Sequence, residues 1–146
     1  MDVALQADGR ILVAASPDVS IEAGLTSLVR LGRGGARDRS FGRGGVLRVR
    51  GIAPLLSVFV EGRRIVLATK RGRSGDGFGV VLRAYGANGA LERRFGRRGI
   101  VTAALSRAEA FRPIAAARQP DGRIVVIGTA GEIEGSGADV ELLRFR

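Results

Sequence analysis

The feature that most constrains this chain is that it repeats itself. The segment Leu5-Gln6-Ala7-Asp8-Gly9-Arg10-Ile11-Leu12-Val13-Ala14 returns as Arg118-Gln119-Pro120-Asp121-Gly122-Arg123-Ile124-Val125-Val126-Ile127. A degenerate copy between them, Phe59-Val60-Glu61-Gly62-Arg63-Arg64-Ile65-Val66-Leu67-Ala68, has Gly62-Arg63 in place of the Asp-Gly pair. With the isoleucine as marker, the copies lie 54 and 59 residues apart. A second motif follows each. Leu28-Val29-Arg30-Leu31 leads through Gly34-Gly35 to Asp38-Arg39-Ser40-Phe41-Gly42-Arg43-Gly44-Gly45-Val46, and Val81-Leu82-Arg83-Ala84-Tyr85 leads through Asn88-Gly89 to Glu92-Arg93-Arg94-Phe95-Gly96-Arg97-Arg98-Gly99-Ile100. The third copy runs Leu142-Leu143-Arg144-Phe145. Phe41 and Phe95 are also 54 residues apart. Two unrelated motifs sharing one period argue against coincidence, and a period of this size commits a chain to stacked supersecondary units.

Inside each unit the apolar runs are short, rich in Val, Ile and Leu, and bounded by Asp-Gly, Asn-Gly or Gly-Gly, which is the pattern of strands and turns. The first unit predicts strands over 3–6, 10–15, 26–31 and 45–50, the second over 54–60, 64–69, 78–85 and 99–103. The third predicts 112–118, 123–129 and 139–145 and lacks a fourth strand. Asp8-Gly9 and Asp121-Gly122 stand where a hairpin needs positive φ. The continuous apolar runs that follow them, from Ile11 and from Ile124, are expected to be buried on both faces. A lone four-stranded sheet cannot cover both its faces, so neighbouring units must stack on it. The expected fold is all-β, with about three tandem four-stranded antiparallel blades of a β-propeller, the last incomplete, at approximately 1–51, 52–105 and 106–146.

These motifs resemble the delta-60 repeat family, marked by an Asp-Gly-(Lys/Arg)-Ile hairpin and a downstream Arg-aromatic, Asp, Phe-Gly, Gly-Gly pattern. The resemblance is clearest over 4–47 and 79–146. The middle Asp-Gly is lost, and Glu92 stands where the pattern has Asp. The resemblance implies a β-propeller-like protein of bacterial, often secreted or surface-exposed type, without an assigned activity.

Composition narrows the chemistry. The 146 residues include no Cys and no His, which removes Cys/His zinc sites, thiol nucleophiles, Ser-His-Asp triads and imidazole acid/base catalysis. The formal charge is +10, and Lys70 is the only lysine. Because the arginines are scattered through every segment, arginine-favouring codon composition accounts for the excess and nucleic acid is not the expected partner. No apolar run approaches a membrane span, and the first residues lack the pattern of a secretory signal.

Each third strand carries an arginine, Arg30, Arg83 or Arg144. A partly buried guanidinium needs a carboxylate or carbonyl, so pairs of Arg30 with Asp38 and of Arg83 with Glu92 are expected. Phe41 and Phe95 are expected to fill the gaps between blades. The Gly32–Gly35 and Gly42–Gly45 runs precede no helix and are turns, not phosphate cradles. Binding is expected on the connections between second and third strands, which differ in every unit. Their candidate residues are Asp18 and Glu22 in the first unit, Arg73 and Asp76 in the second, and Glu132, Glu134 and Asp139 in the third. No catalytic residue, metal site or cofactor is expected. The expected role is a non-enzymatic scaffold or interaction module for a protein or surface ligand, with a homodimer as one route to a six-bladed ring. The alternatives are a carboxylate hydrolase, for which the pair Glu132 and Glu134 is the candidate, and polyanion binding through the arginine excess.

Overall fold

The computed structural model describes residues 1–16, 25–50, 55–71, 79–104, 111–130 and 139–145. The strands are β1 (Asp2–Leu5), β2 (Ile11–Ala15), β3 (Leu25–Leu31), β4 (Val46–Arg50), β5 (Leu55–Glu61), β6 (Arg64–Arg71), β7 (Gly79–Tyr85), β8 (Ile100–Ala104), β9 (Arg112–Arg118), β10 (Ile124–Ala130) and β11 (Asp139–Phe145). They form three antiparallel sheets in simple sequence order, β1 to β4, β5 to β8 and β9 to β11. The chain is all-β, and its sheets are tandem blades of a β-propeller.

The turns follow from local chemistry. In the first blade the Gln6 amide donates to the Arg10 carbonyl at 2.8 Å, Asp8 Oδ1 accepts the Arg10 amide at 3.1 Å, and Gly9 takes φ of 80°. Gln119, Asp121, Gly122 and Arg123 reproduce the same geometry, with φ of 85° at Gly122. The middle copy is one residue shorter, and Glu61 pairs directly with Arg64 across a two-residue turn. That deletion explains why its Asp-Gly signature is absent while β5 and β6 keep the register of β1 and β2.

Blade stacking builds two cores. In the first, Leu12, Ala14, Leu28 and Phe41 of one blade meet Val58, Ile65, Leu67 and Tyr85 of the next. In the second, Val66, Ala68, Val80, Leu82 and Ala84 meet Phe111, Ile124, Val126 and Phe145. Fully burying one such Leu or Phe side chain is worth about 1.5–3 kcal/mol, so the inter-blade faces supply most of the cohesion. Two-sided burial, expected of the runs from Ile11 and Ile124, is found instead in β6, where Ile65, Val66, Leu67, Ala68 and Thr69 are all buried. It fails for β2 and β10, whose residues alternate between buried and half-buried or exposed. The middle blade has a neighbour on each face, while each outer blade has one.

Polar bonds stitch the first joint. Asp2 Oδ2 accepts the Ser57 hydroxyl at 2.6 Å and the Val58 amide at 2.8 Å, tying β1 to β5. At the other end of the strands, the Gly42 amide donates to the Asn88 carbonyl at 2.9 Å, and Arg30 Nη1 donates to the Ala87 carbonyl. The turn at 86–89 is therefore seated on the first blade.

Candidate functional site

The polar side chains with the most specific geometry gather where the first turns of the blades (β1–β2, β5–β6, β9–β10) meet the β3–β4 and β7–β8 connections. In the first blade Arg30 is buried. Its Nε donates to Asp38 Oδ2 at 2.9 Å, Nη2 to Ser40 Oγ at 3.0 Å, and its guanidinium lies 4.8 Å from the Phe41 ring centre. Asp38 also takes Arg10 Nε at 2.9 Å. The Ser40 hydroxyl and amide, seconded by the charges of Arg30 and Arg10, lower the Asp38 carboxyl to about 2. It is an anion at any physiological pH and serves as a clasp between the strands and their connection.

The pair expected between Arg83 and Glu92 does not form. Backbone bonding shows why: Asp38 N donates to Arg30 O, whereas Glu92 N donates to Ala84 O. The counterpart of Arg30 is thus Ala84, and Arg83 is one residue out of register, on the opposite face of its sheet. The Arg83 Nη1 group reaches the Arg50 carbonyl at 3.5 Å, and its Nε is buried without a partner among the described residues. Glu92 is gripped instead by Arg64, through Nε at 2.7 Å and Nη2 at 2.8 Å. Arg64 is the counterpart of Arg10, and its guanidinium lies 5.7 Å from the Phe95 ring centre. The Arg64 bond lowers the Glu92 carboxyl and Glu92 in turn raises the Arg64 guanidinium. The third blade keeps the first blade's register: Arg144 is the counterpart of Arg30 and binds Asp121 Oδ2 at 3.0 Å, beside the Asp121–Arg123 pair.

Between the second and third blades a cleft of about 550 Å³ opens at this end. Phe59, Phe95 and Phe145 supply apolar walls, and Arg64, Glu61 and Arg118 form a charged rim. Glu61 bridges the blades, with Oε2 at 3.2 Å from Arg64 Nη1 and Oε1 at 3.3 Å from Arg118 Nη2. At the first joint the corresponding space is closed by the 86–89 turn, which presses Gly89 against Phe41. Phe41 is fully buried, whereas its repeat counterpart Phe95 is half-buried. The carboxylates here accept hydrogen bonds from arginine, and through Glu61 these bonds run from one blade to the next.

None of the residues singled out for binding is among those that form these pairs or line this cleft. Asp18, Glu22, Arg73, Asp76, Glu132 and Glu134 fall outside the described residues, and Asp139 is described only by its backbone, which opens β11 opposite Ala130. The cleft residues Arg64, Glu61 and Arg118 were not singled out from sequence; the signal available was their place beside the hairpin motif in each unit. Among the described residues, no group of three or more carboxylates converges as a metal site would require, and no helix is long and apolar enough to cross a membrane.

A chain of antiparallel blades that stack through apolar faces and carry arginine–acid clasps at one end is a propeller-type repeat protein. Residues 6–41 and 119–146 match the family described as a domain of unknown function (DUF5122) beta-propeller. The match covers most of the described first blade and, in the last, the β9–β10 turn with β10 and β11. The middle copy, which has lost the Asp-Gly turn and the buried arginine, is not matched. None of the curated proteins compared with the chain matches it.

Proposed function

We propose that the chain is a non-enzymatic β-propeller scaffold whose partners bind the connections between the second and third strands of each blade. The observation that carries this is that arginine–acid pairing recurs at the same end of every blade, Arg30 and Arg10 on Asp38 and its counterpart Arg64 on Glu92, with Arg144 and Arg123 of the third blade on Asp121, the counterpart of Asp8. Polar groups copied around an array serve the array, whereas a reaction centre needs one unique constellation. The carboxyls of Asp2, Asp8, Asp38, Glu92 and Asp121 are all lowered, so each is held as an anion. What varies between units is the sequence of 17–24, 72–78 and 131–138, carrying Asp18, Glu22, Arg73, Asp76, Glu132 and Glu134, with Asp139 beside them. Variable loops on a fixed frame are where interaction proteins place their specificity.

The motif Asp-Gly-Arg-Ile at Asp8 and Asp121 supports the narrower assignment to the delta-60 repeats, and with it a bacterial, surface-exposed setting. A second copy of the chain completes the ring. Val3 and Leu5, 53% and 72% exposed, occupy the repeat positions of Val58 and Val60, which pack in the first joint. Val140 and Leu142, 79% and 61% exposed, occupy those of the buried Val80 and Leu82. The outward faces of the first and third blades are thus built like the faces that join blades internally.

The scaffold assignment is tested by incubating the chain with a panel of chromogenic glycosides and phosphate esters beside the double variant Glu132→Gln, Glu134→Gln. No turnover by either protein is expected; turnover abolished by the double variant would establish the hydrolase alternative.

A further inference from the structure

The fold sorts charge in a way that the linear sequence hides. The first turns of the blades and the β3–β4 and β7–β8 connections share one end of the strands, and the five carboxylates there, Asp8, Asp38, Glu61, Glu92 and Asp121, are each already in an ion pair with an arginine. Each of the two connections, 32–45 and 86–99, carries four further arginines, all exposed. None of the eight forms an ion pair with a carboxylate among the described residues. Arg39 and Arg43 in the first connection hold the same repeat positions as Arg93 and Arg97 in the second, and Arg94 and Arg98 lie between and beside the latter pair. Codon composition explains why these cations are arginine and not lysine. It does not explain why the acids of this end are consumed in clasps while, among the described residues, a periodic set of guanidinium groups has no carboxylate partner.

A periodic array of this kind matches a polymer with charges at intervals better than a single small anion. Guanidinium forks grip sulfate, carboxylate and phosphate oxygens in pairs. Recognition of single-stranded nucleic acid adds aromatic platforms for bases, and duplex readers insert a helix or ribbon into a groove. At this end Phe41, Tyr85 and Phe145 are buried, and Phe59 and Phe95 are half-buried in the cleft, Phe95 beneath Arg64. The connections are glycine turns, with φ of 91° at both Gly45 and Gly99, and no element projects from them. We infer that this arginine-rich end binds an acidic polysaccharide, a chain of sulfated or carboxylated sugars, lying across the connections of successive blades. The assignment deepens the scaffold reading and rests on it, since the surface holds a polymer without altering it.

The test uses the intact chain and fluorescein-labelled heparin as probe, with anisotropy read from 50 to 200 mM salt. Binding that weakens at least tenfold over that range is expected. The triple variant Arg39→Ser, Arg93→Ser, Arg97→Ser should bind roughly 100-fold more weakly at low salt and lower the salt slope by about two to three. The variant Arg48→Ser, Arg50→Ser, Arg112→Ser removes the same charge from exposed arginines outside the two connections and should stay within about threefold of the parent. Equal losses in the two variants, or no binding by a chain with an intact far-ultraviolet spectrum, would overturn the assignment while leaving the scaffold intact. Tighter binding to duplex DNA, or to phosphatidylserine vesicles, than to heparin of equal charge would also overturn it. Shortening of the heparin during incubation would instead overturn the scaffold reading.

Discussion

Gly35 and Gly89 occupy the same position in successive repeats and have nearly the same backbone, with φ of 81° and 85°. Placing alanine at either forces a side chain into the left-handed region, which costs about 1–2 kcal/mol. Their surroundings differ. A Cβ on Gly35 would meet nothing within 4 Å, whereas one on Gly89 would lie 3.2 Å from the Gly42 amide nitrogen and 3.2 Å from Phe41 Cε2. Those atoms belong to the first blade and cannot give freely, because Gly42 N is bonded to the Asn88 carbonyl at 2.9 Å and Phe41 is fully buried under Arg30. Overpacking of this kind costs a further ~1–3 kcal/mol. Gly35→Ala should therefore lower stability by about 1–2 kcal/mol and Gly89→Ala by about 2–5 kcal/mol. Urea denaturation followed by far-ultraviolet circular dichroism, at protein concentrations matched across variants, measures both. Equal losses would mean that the 86–89 turn does not sit on the first blade, and the described joint would be wrong.

Three other outcomes follow from named residues. Arg98 holds φ of 56° at the repeat position of Gly44, so Arg98→Gly should stabilise the chain by about 1 kcal/mol in urea melts, and a loss would contradict that turn. Asp38 and Asp2 have folded pKa values below the unfolded 3.8, so the stability they contribute is complete above about pH 4 and lost as pH falls, towards about 2 for Asp38. Burial opposes the shift at Asp2 but the Ser57 hydroxyl and the Val58 amide outweigh it, and Asp38→Asn should flatten the loss of urea midpoint between pH 4 and 2. Arg83→Met removes a buried Nε that has no partner among the described residues, so its stability should stay within about 0.5 kcal/mol of the parent or rise. A loss above about 1.5 kcal/mol would show that Arg83 is held by a bond the structure lacks.

The strands were legible because short Val-, Ile- and Leu-rich runs and the Asp-Gly, Asn-Gly and Gly-Gly pairs that bound them are local signals. All eleven appear within a residue or two of where the sequence places them. The clasp was half legible. Arg30 with Asp38 follows from the sequence, but in the second unit a one-residue register error passed unnoticed, since Leu82-Arg83-Ala84 reads like Val29-Arg30-Leu31 until strand pairing aligns Ala84 with Arg30. Burial of β2 and β10 depends on whether a neighbouring blade covers each face, and no window of sequence contains that. The basic end was invisible for a related reason. Arg39 and Arg93 are far apart along the chain and come to the same end of their blades only when antiparallel strands return their connections there.

Blade-on-blade stacking, with interface-type residues on the outward faces of the first and third blades, is tested most directly by the solution mass from size-exclusion chromatography with light scattering. A discrete species of about twice the 15.3 kDa chain mass is predicted, reduced to monomer by Leu5→Asp or Leu142→Asp. A monomer at all concentrations, with Val3, Leu5, Val140 and Leu142 in water, would contradict the assignment of those faces as joining surfaces.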